Sequence, residues 1–189
     1  PYAKENGERM LVNLALVDSG DQTDTVYELC YQNSDWALAC KGVQPMRGNS
    51  FQISTINKTG SRASGMQLVL VDGAKYKDMI AARMKRDNGP GAWMVHKDCD
   101  REYAEQVTAE EKITTRSGGK MTAKWTPKTS HAANHYLDAE CMAACAADIR
   151  NVRALDLEEL REETSILDLP PAQEKMQEET WIRKNEHWT

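Results

Sequence analysis

The sequence predicts an α/β fold in which a mixed sheet is flanked by helices, because short apolar runs alternate with segments of helical periodicity. Two of the runs, Met10–Val17 and Met66–Val71, each lead directly into an Asp with a Gly close behind, which is typical of a buried strand entering a turn. A third observation is the long Ala-rich and Cys-containing segment from Asn134 to Arg150, which has the length of a packed helix. With 189 residues, 40% of them hydrophobic, the chain can bury a core as one domain with or without an appendage.

The elements after the first strand are predicted from their caps and periodicity. We expect Thr23 to cap a helix over Asp24–Tyr31, whose apolar residues recur at helical spacing. Trp36–Cys40 is a short apolar run and predicts a strand. Residues 43–65 are rich in Gly, Ser, Asn, Thr and Lys, so they predict a long basic loop with a short strand at Phe51–Ile53.

The second half of the chain continues the alternation. Ala74–Arg86 has the pattern of an amphipathic helix, and a segment containing Gly and Pro ends it. Ala92–His96 predicts a strand, and Asp100–Val107 predicts a helix whose acidic first turn suits the helix dipole. Residues 112–125 predict a β-hairpin that turns at Ser117-Gly118-Gly119.

Residues 151–189 differ in composition from the rest of the chain. They carry ten acidic and five basic residues, which accounts for the whole net charge of −5. Two charged helical patterns, Leu155–Leu167 and Ala172–Lys184, are separated by a Pro-Pro pair. We therefore expect a domain over residues 1–150 and an acidic helical tail over residues 151–189.

Charge and cysteine content restrict the function. The negative net charge argues against indiscriminate nucleic-acid binding, but residues 41–86 hold nine bases against two acids, and residues 112–128 hold five bases and no acid. Such tracts suit a polyanion, although solvated loops and helix faces explain them equally well. The five cysteines fit no zinc spacing and are expected to be core residues in a reducing compartment. No run is long enough for a membrane span.

Three aspartates occupy positions where catalytic carboxylates are commonly found. Asp18 and Asp72 follow strands, and Asp138 enters the long helix, where a divalent metal ion is the expected compensation for a buried carboxylate. Phosphodiesterases of the two-metal type hold their ions between such carboxylates. The three residues therefore predict a metal-dependent phosphodiesterase site, while a helix cap or a turn former is the alternative for each of them.

Neighbouring polar residues extend this hypothesis. His135 lies one helical turn before Asp138, where it would orient water, contact phosphate or join the metal ligands, or instead act as a cap or packing residue. Lys75 and Arg83 lie eight residues apart on one predicted helix and would reach phosphates, unless they form an exposed basic face.

Several short motifs recur in a fixed order between residues 11 and 149, and their order resembles that of a known family. The family is the carboxy-terminal nuclease part of tailed-phage terminase large subunits, the lambda-type DNA-packaging proteins. The motifs are Asp18-Ser19-Gly20, Thr25-Val26-Tyr27, Lys41-Gly42, Val71-Asp72-Gly73-Ala74-Lys75, Arg83, Gly89-Pro90-Gly91 with His96, Val107-Thr108-Ala109-Glu110, Trp125, and the helix containing Asn134 and Leu137-Asp138.

The resemblance implies an RNase H-like fold and a hydrolase that uses two Mg²⁺ or Mn²⁺ ions to cut concatemeric double-stranded DNA. It implies that Asp18 and Asp138 are catalytic metal ligands, that Asp72 is a weaker candidate for a metal ligand, and that Lys75 acts in catalysis. We expect His135 to be catalytic as well, by binding a metal ion or acting on water, although the family has a Glu at this position. The DNA-binding residues are expected to be Lys41, Arg47, Lys58, Arg62, Lys75 and Arg83. The implied partners are the terminase ATPase domain, the small terminase subunit and the portal, with no membrane, in the cytoplasm of the host cell.

Two departures from the family pattern matter. The family has Asn-Glu where this chain has Asn134-His135, and its first acid lies on a strand before the equivalent of Leu11. We therefore expect residues 1–150 to lack the first strands of the nuclease domain, the alternative being that Asp18 takes the first role. No G-x-x-x-x-G-K-[ST] motif occurs, so no ATPase motif is present in this chain. The sequence predicts a DNA endonuclease of viral packaging and virion assembly, with a non-catalytic DNA-docking or assembly module that binds the motor or portal as the alternative.

Overall fold

A computed structural model describes residues 2–3, 6–7 and 9–152. In chain order its elements are β1 (Tyr2–Ala3), β2 (Arg9–Met10), β3 (Ala15–Asp18), α1 (Thr23–Gln32), β4 (Ala37–Gly42), β5 (Phe51–Thr55), β6 (Gln67–Val71), α2 (Gly73–Met84), α3 (Arg101–Val107), β7 (Glu110–Ser117), β8 (Lys120–Pro127) and α4 (His135–Ile149). The acidic tail predicted over residues 151–189 lies outside the described residues from 153 onward.

The central sheet is mixed and has the strand order β3-β4-β6-β5. β3, β4 and β6 run parallel, with Asp18 opposite Cys40 and Cys40 opposite Val69, whereas β5 is antiparallel to β6. Parallel neighbours need a crossover, and α1 provides the one between β3 and β4. The predicted α/β class with a mixed sheet and flanking helices is therefore confirmed.

The two faces of the sheet carry separate apolar clusters. On one face α2 and α4 pack through large side chains, including Tyr76, Ile80 and Leu137, against Val69 of β6. On the other face α1 and the segment after β5 pack against β4 through a second cluster, namely Tyr27, Cys30, Ala37, Ala39, Ile56 and Ala63. Alternate residues of each strand point to opposite faces, so β4 contributes Cys40 to the first cluster and Ala39 to the second.

The hairpin β7–β8 forms a sheet of its own. Its register runs from Glu110 opposite Pro127 to Ser117 opposite Lys120, and Gly118 and Gly119 both have positive φ, at 57° and 79°. Two central residues with positive φ define the type I′ turn that suits the twist of a hairpin, and glycine adopts this conformation without a steric penalty. The predicted hairpin is confirmed and is longer than expected at both ends.

Some predicted elements differ from the structure. Only residues 15–17 of the predicted strand Met10–Val17 belong to the central sheet, where the strand continues to Asp18. Gln22 rather than Thr23 occupies the N-cap position of α1. The strand predicted at Ala92–His96 is wrong: the amide of Ala92 bonds back to Gly89, and Met94 is 77% exposed. An apolar run without a neighbouring strand to pair with does not become a strand.

Four of the five cysteines are core residues, as predicted, whereas the fifth is not. All five cysteines are free; Cys30, Cys40, Cys141 and Cys145 are buried in the apolar clusters, and Cys99 is exposed. Within the described residues, none of the helices has both the length and the apolar content that crossing a membrane requires.

Candidate active site

A cavity of about 580 Å³ lies where β3, β4 and β6 end and where α2, α4 and the hairpin meet them. This is the edge at which α/β sheets bind ligands, because the carboxyl ends of parallel strands meet there. Its charged lining residues are three carboxylates and two lysines: Asp18, Glu110, Asp138, Lys77 and Lys124. The remaining walls include Cys40, Val43, Trp125, Cys141 and Met142.

Asp18 ends β3 and is held by the turn that follows it. The amide of Gly20 donates to Oδ1 of Asp18 at 2.9 Å, and the buried Ser19 donates its hydroxyl to the carbonyl of Cys40 at 2.8 Å. A Cβ on residue 20 would lie 3.2 Å from Oδ1 of Asp18, so glycine leaves room for this turn. The Asp-Ser-Gly sequence thereby fixes the exposed carboxylate of Asp18 at the carboxyl edge of the sheet.

Lys77 of α2 lies between two carboxylates of the cavity. Its Nζ is 2.8 Å from Oε1 of Glu110, the first residue of β7, and 3.1 Å from Oδ1 of Asp138 on α4. The side chain of Glu110 is 6% exposed and that of Lys77 is 13% exposed, whereas Asp138 is 43% exposed. The expectation that Asp138 is buried is therefore wrong. The positive charge beside it in the structure is the ammonium of Lys77.

Neighbouring groups stabilise this charged cluster. Burial alone would lower the pKa of Lys77, but the hydrogen bond to Glu110 and the charge of Asp138 outweigh it, so the pKa lies above its ordinary value. The side-chain amide of Asn134 donates to the same Oε1 of Glu110 at 2.6 Å. Asn134 is the N-cap residue of α4, and its side chain makes no capping hydrogen bond. The amide thus ties the start of α4 to the start of β7.

The thiols in the cavity wall are poor nucleophiles. Burial, followed by the nearby charge of Asp18, raises the pKa of Cys40 to about 12. Burial also raises the pKa of Cys141 to about 12, although Lys77 opposes the shift. Both thiols therefore stay protonated at neutral pH, and the reactive groups available at the surface of the cavity are oxygen and nitrogen atoms.

The geometry is a set of carboxylates at the carboxyl edge of a mixed sheet, and the comparison with known families agrees with it. Residues 1–159 match the family described as the terminase large subunit gpA endonuclease domain. The chain belongs to this family. The resemblance to terminase nucleases is thereby confirmed, and the family is one of DNA-cutting domains of packaging proteins. No curated protein and no solved structure matches the chain.

Three charged residues of the cavity lining, Glu110, Lys77 and Lys124, were not among the predicted site residues. Glu110 is the first residue of β7, and the hairpin was predicted to begin only at residue 112, so the reasoning from strand ends and helix starts that selected Asp18 did not reach it. Lys77 precedes the inward-facing Ile80 and Met84 by three and seven residues, which puts a lysine on the apolar stripe of α2. A cation at such a position signals a buried partner.

Asp72, a predicted metal ligand, lies outside the residues that line the cavity. It is fully buried as the N-cap of α2, where Oδ1 accepts from the amide of Lys75 at 3.2 Å and Oδ2 from the amide of Met46 at 2.8 Å. These contacts correspond to the helix-cap alternative. They also attach the segment after β4 to the start of α2.

Lys75 and His135 also lie outside the cavity lining. The ammonium of Lys75 donates to the carbonyl oxygens of Gly48 and Asn49, at 3.1 and 2.6 Å, and so holds the loop between β4 and β5. His135 is exposed as the first residue of α4, and Asp138 of the same first turn does line the cavity.

The cations predicted to bind DNA are spread over the molecule. Lys58 and Arg62 pair with Asp24 and Glu28 of α1, on the sheet face opposite the cavity. The other predicted cations lie elsewhere: Lys41 and Arg47 are exposed at and after the end of β4, and Arg83 is half-buried in the last turn of α2. None of these five side chains lines the cavity.

The cavity provides donors of the type that hard divalent cations prefer. Mg²⁺ and Mn²⁺ bind carboxylate oxygens, and Asp18, Glu110 and Asp138 supply these from three separate elements. Within the part of the chain that the structure describes, no three His, Cys, Asp or Glu side chains converge closely enough to hold a metal ion. The ammonium of Lys77 lies between two of the carboxylates.

Proposed function

We propose that this chain is the DNA-cutting part of a terminase large subunit and hydrolyses concatemeric double-stranded DNA at the cavity. The observation that carries the proposal is the pair Glu110 and Asp138 held across one buried ammonium, in a cavity that Asp18 also lines. Carboxylates gathered from three elements at a sheet edge concentrate negative charge where a cation and a phosphodiester would meet.

We infer that Mg²⁺ or Mn²⁺ ions, two in number by the family resemblance, are held by Asp18, Glu110 and Asp138. When bound, such ions acidify the attacking water and offset the charge that develops on the phosphodiester. Asn134 and the turn at Ser19-Gly20 orient the carboxylates, and Lys77 balances their charge. Lys124, which also lines the cavity, would contact a DNA phosphate.

The roles proposed for the other predicted residues follow from their contacts. Asp72 and Lys75 would shape the rim of the cavity, because both hold the segment that includes Val43 and Pro45 of the cavity wall. His135 would act near the mouth of the site, one turn from Asp138. The fold would be an RNase H-like domain over residues 1–150, acting in the host cytoplasm with an ATPase domain, a small terminase subunit and a portal.

The test is cleavage of supercoiled plasmid DNA in Mn²⁺ by the wild-type chain, Glu110→Gln and Asp138→Asn. We expect each variant to cut at least about 100-fold more slowly, because perturbing even the groups that orient a metal ligand commonly has an effect of 10–100-fold. EDTA should stop wild-type cleavage.

Glu28→Gln is the matched control, since it removes one exposed carboxylate from the opposite sheet face. Its rate should equal that of the wild type. Glu110→Gln with a wild-type rate and a normal circular dichroism spectrum would contradict the proposed site.

The second candidate is a non-catalytic DNA-docking or assembly module. It is favoured by Lys77, whose ammonium forms ion pairs with both Glu110 and Asp138. Salt-dependent binding of duplex DNA by a chain that does not cut in Mn²⁺ would support this second function.

A further inference from the structure

The hairpin β7–β8 carries one continuous face from the cavity to its tip. Residues opposite each other in the ladder share a face, so Glu110 and Pro127 lie on the same side as Arg116 and Met121. At the inner end of this face Glu110, Trp125 and Pro127 line the cavity. At the outer end Arg116 lies directly opposite Met121, next to the turn at Gly118 and Gly119.

Beyond Glu110 and Glu111, every charged residue of the hairpin is basic. Residues 112–128 contain a basic residue at every fourth position and no acidic residue. Lys112 at the inner end is bound by the carboxylate of Asp78, at 2.7 and 2.6 Å from its two oxygens, and Trp125 Nε1 donates to Asp78 as well. The base of the hairpin is thus fixed to α2.

The tip presents a different surface. Arg116 is exposed and, among the described residues, takes part in no ion pair, and Met121 is 68% exposed. An exposed methionine beside an unpaired arginine contributes nothing to the core. Arg116 and Met121 are therefore available to a partner that has an anionic surface and stacked apolar groups beneath it.

We propose that the tip of the hairpin enters the minor groove of the duplex that is cut, with Arg116 in the groove and Met121 wedged against a base step. This inference rests on the proposed function. Minor-groove proteins combine an arginine, drawn by the negative potential of the groove, with an apolar wedge such as methionine that unstacks a base step. The positive charge of residues 112–128 is complementary to the phosphates on either side of the groove.

The dimensions agree with this placement. Arg116 lies six residues after Glu110 along β7, which is about 20 Å at roughly 3.3 Å per residue. The same length of B-DNA holds about six base pairs at 3.4 Å each. One duplex can therefore place a phosphate at the cavity and a groove at the tip.

The test measures binding of a fluorescent duplex of about 30 base pairs, containing an A-tract, in EDTA by anisotropy. EDTA excludes cleavage, so binding is read separately from catalysis. We expect Arg116→Ala to weaken binding roughly 5-fold or more and to reduce the slope of log K against log salt by about one. Arg101→Ala is the control, because Arg101 is an exposed arginine on α3 and pairs with Glu105; its affinity should stay within about 2-fold of the wild type.

Two further measurements identify the groove and the wedge. Netropsin, which occupies the minor groove, should displace the wild-type chain, and methyl green, which occupies the major groove, should not. Met121→Ala should reduce the bend of the duplex measured by fluorescence energy transfer, with an unchanged salt slope.

Wild-type affinity in Arg116→Ala, or displacement by methyl green alone, would overturn the inference. If the wild-type chain cuts DNA in Mn²⁺ while Arg116→Ala binds normally, only the role of the hairpin fails. If Glu110→Gln cuts at the wild-type rate, the proposed site itself fails.

Discussion

The two faces of the central sheet use charged residues in opposite ways. On the α1 face Lys58 and Arg62 form exposed ion pairs with carboxylates of the helix, above the apolar cluster of that face. On the α2 and α4 face Lys77 and Glu110 are nearly buried above large apolar side chains. Exposed pairs contribute about 0–1 kcal/mol, whereas charges removed from water need partners and geometry. The candidate site is therefore distinguished by the burial of the Lys77–Glu110 ion pair rather than by the presence of charge.

The largest effect that can test this comparison is expected from two buried isoleucines. Ile80 belongs to the cluster beneath the cavity and Ile56 to the cluster beneath α1. Ile80→Ala and Ile56→Ala should each lower the free energy of unfolding by about 2–5 kcal/mol, because each leaves a cavity in a packed core. Only Ile80→Ala should also weaken Mn²⁺ binding, since Ile80 lies one turn from Lys77 on α2. Urea denaturation and calorimetric titration measure the two effects, and equal loss of Mn²⁺ affinity in both variants would break the distinction between the faces.

A smaller effect is expected from replacing the lysine of each face. Lys77→Met leaves Glu110 nearly buried without its cationic partner, so the metal-free protein should lose about 2 kcal/mol of stability. Mn²⁺ should restore this loss, because the ion replaces the missing positive charge, and the rise in Tm on adding Mn²⁺ should exceed that of the wild type. Lys58→Met, in an exposed pair, should change stability by less than about 0.5 kcal/mol and leave the Mn²⁺ response unchanged. A Tm that responds equally to Mn²⁺ in Lys77→Met and the wild type would argue against competition between the ammonium and the ion.

The smallest effect is expected from a substitution of Asp72, which tests whether this residue is a helix cap or a metal ligand. Asp72→Asn retains one acceptor for the amide of Lys75 but presents an NH₂ group to the amide of Met46. We expect a loss of about 1.5 kcal/mol in stability with unchanged Mn²⁺ affinity. A decrease of about 10-fold or more in affinity would show instead that Asp72 binds the metal, as the sequence predicted.

Most elements followed from local sequence. α1, α2, α4 and the hairpin begin and end close to the predicted residues, because periodicity, caps and the Gly-Gly turn act over a few neighbours. Ala92–His96 failed because strand formation depends on a partner strand. Residues 92–93 instead bond to Gly89 and Arg83.

The site was only partly predictable for a related reason. Asp18 and Asp138 stand at element boundaries that local patterns reveal, and both line the cavity. Lys77 and Glu110 are 33 residues apart in sequence and meet because β7 packs beside α2, which no local pattern encodes. Asp72 has the same local signature as Asp18, but its surroundings in the fold engage both of its oxygens with backbone amides.

The amide of Asn134 links local opening of α4 to the integrity of the carboxylate pair. An N-cap side chain normally retains the first turn of its own helix, whereas this one holds Glu110 of β7. The first turn of α4, which carries Asp138, is therefore retained by a tertiary contact and by Lys77 rather than by its own cap. Fraying of this helix end and disassembly of the site are consequently one event, so that amide hydrogen exchange at the start of α4 reports on how much of the time the carboxylates are assembled.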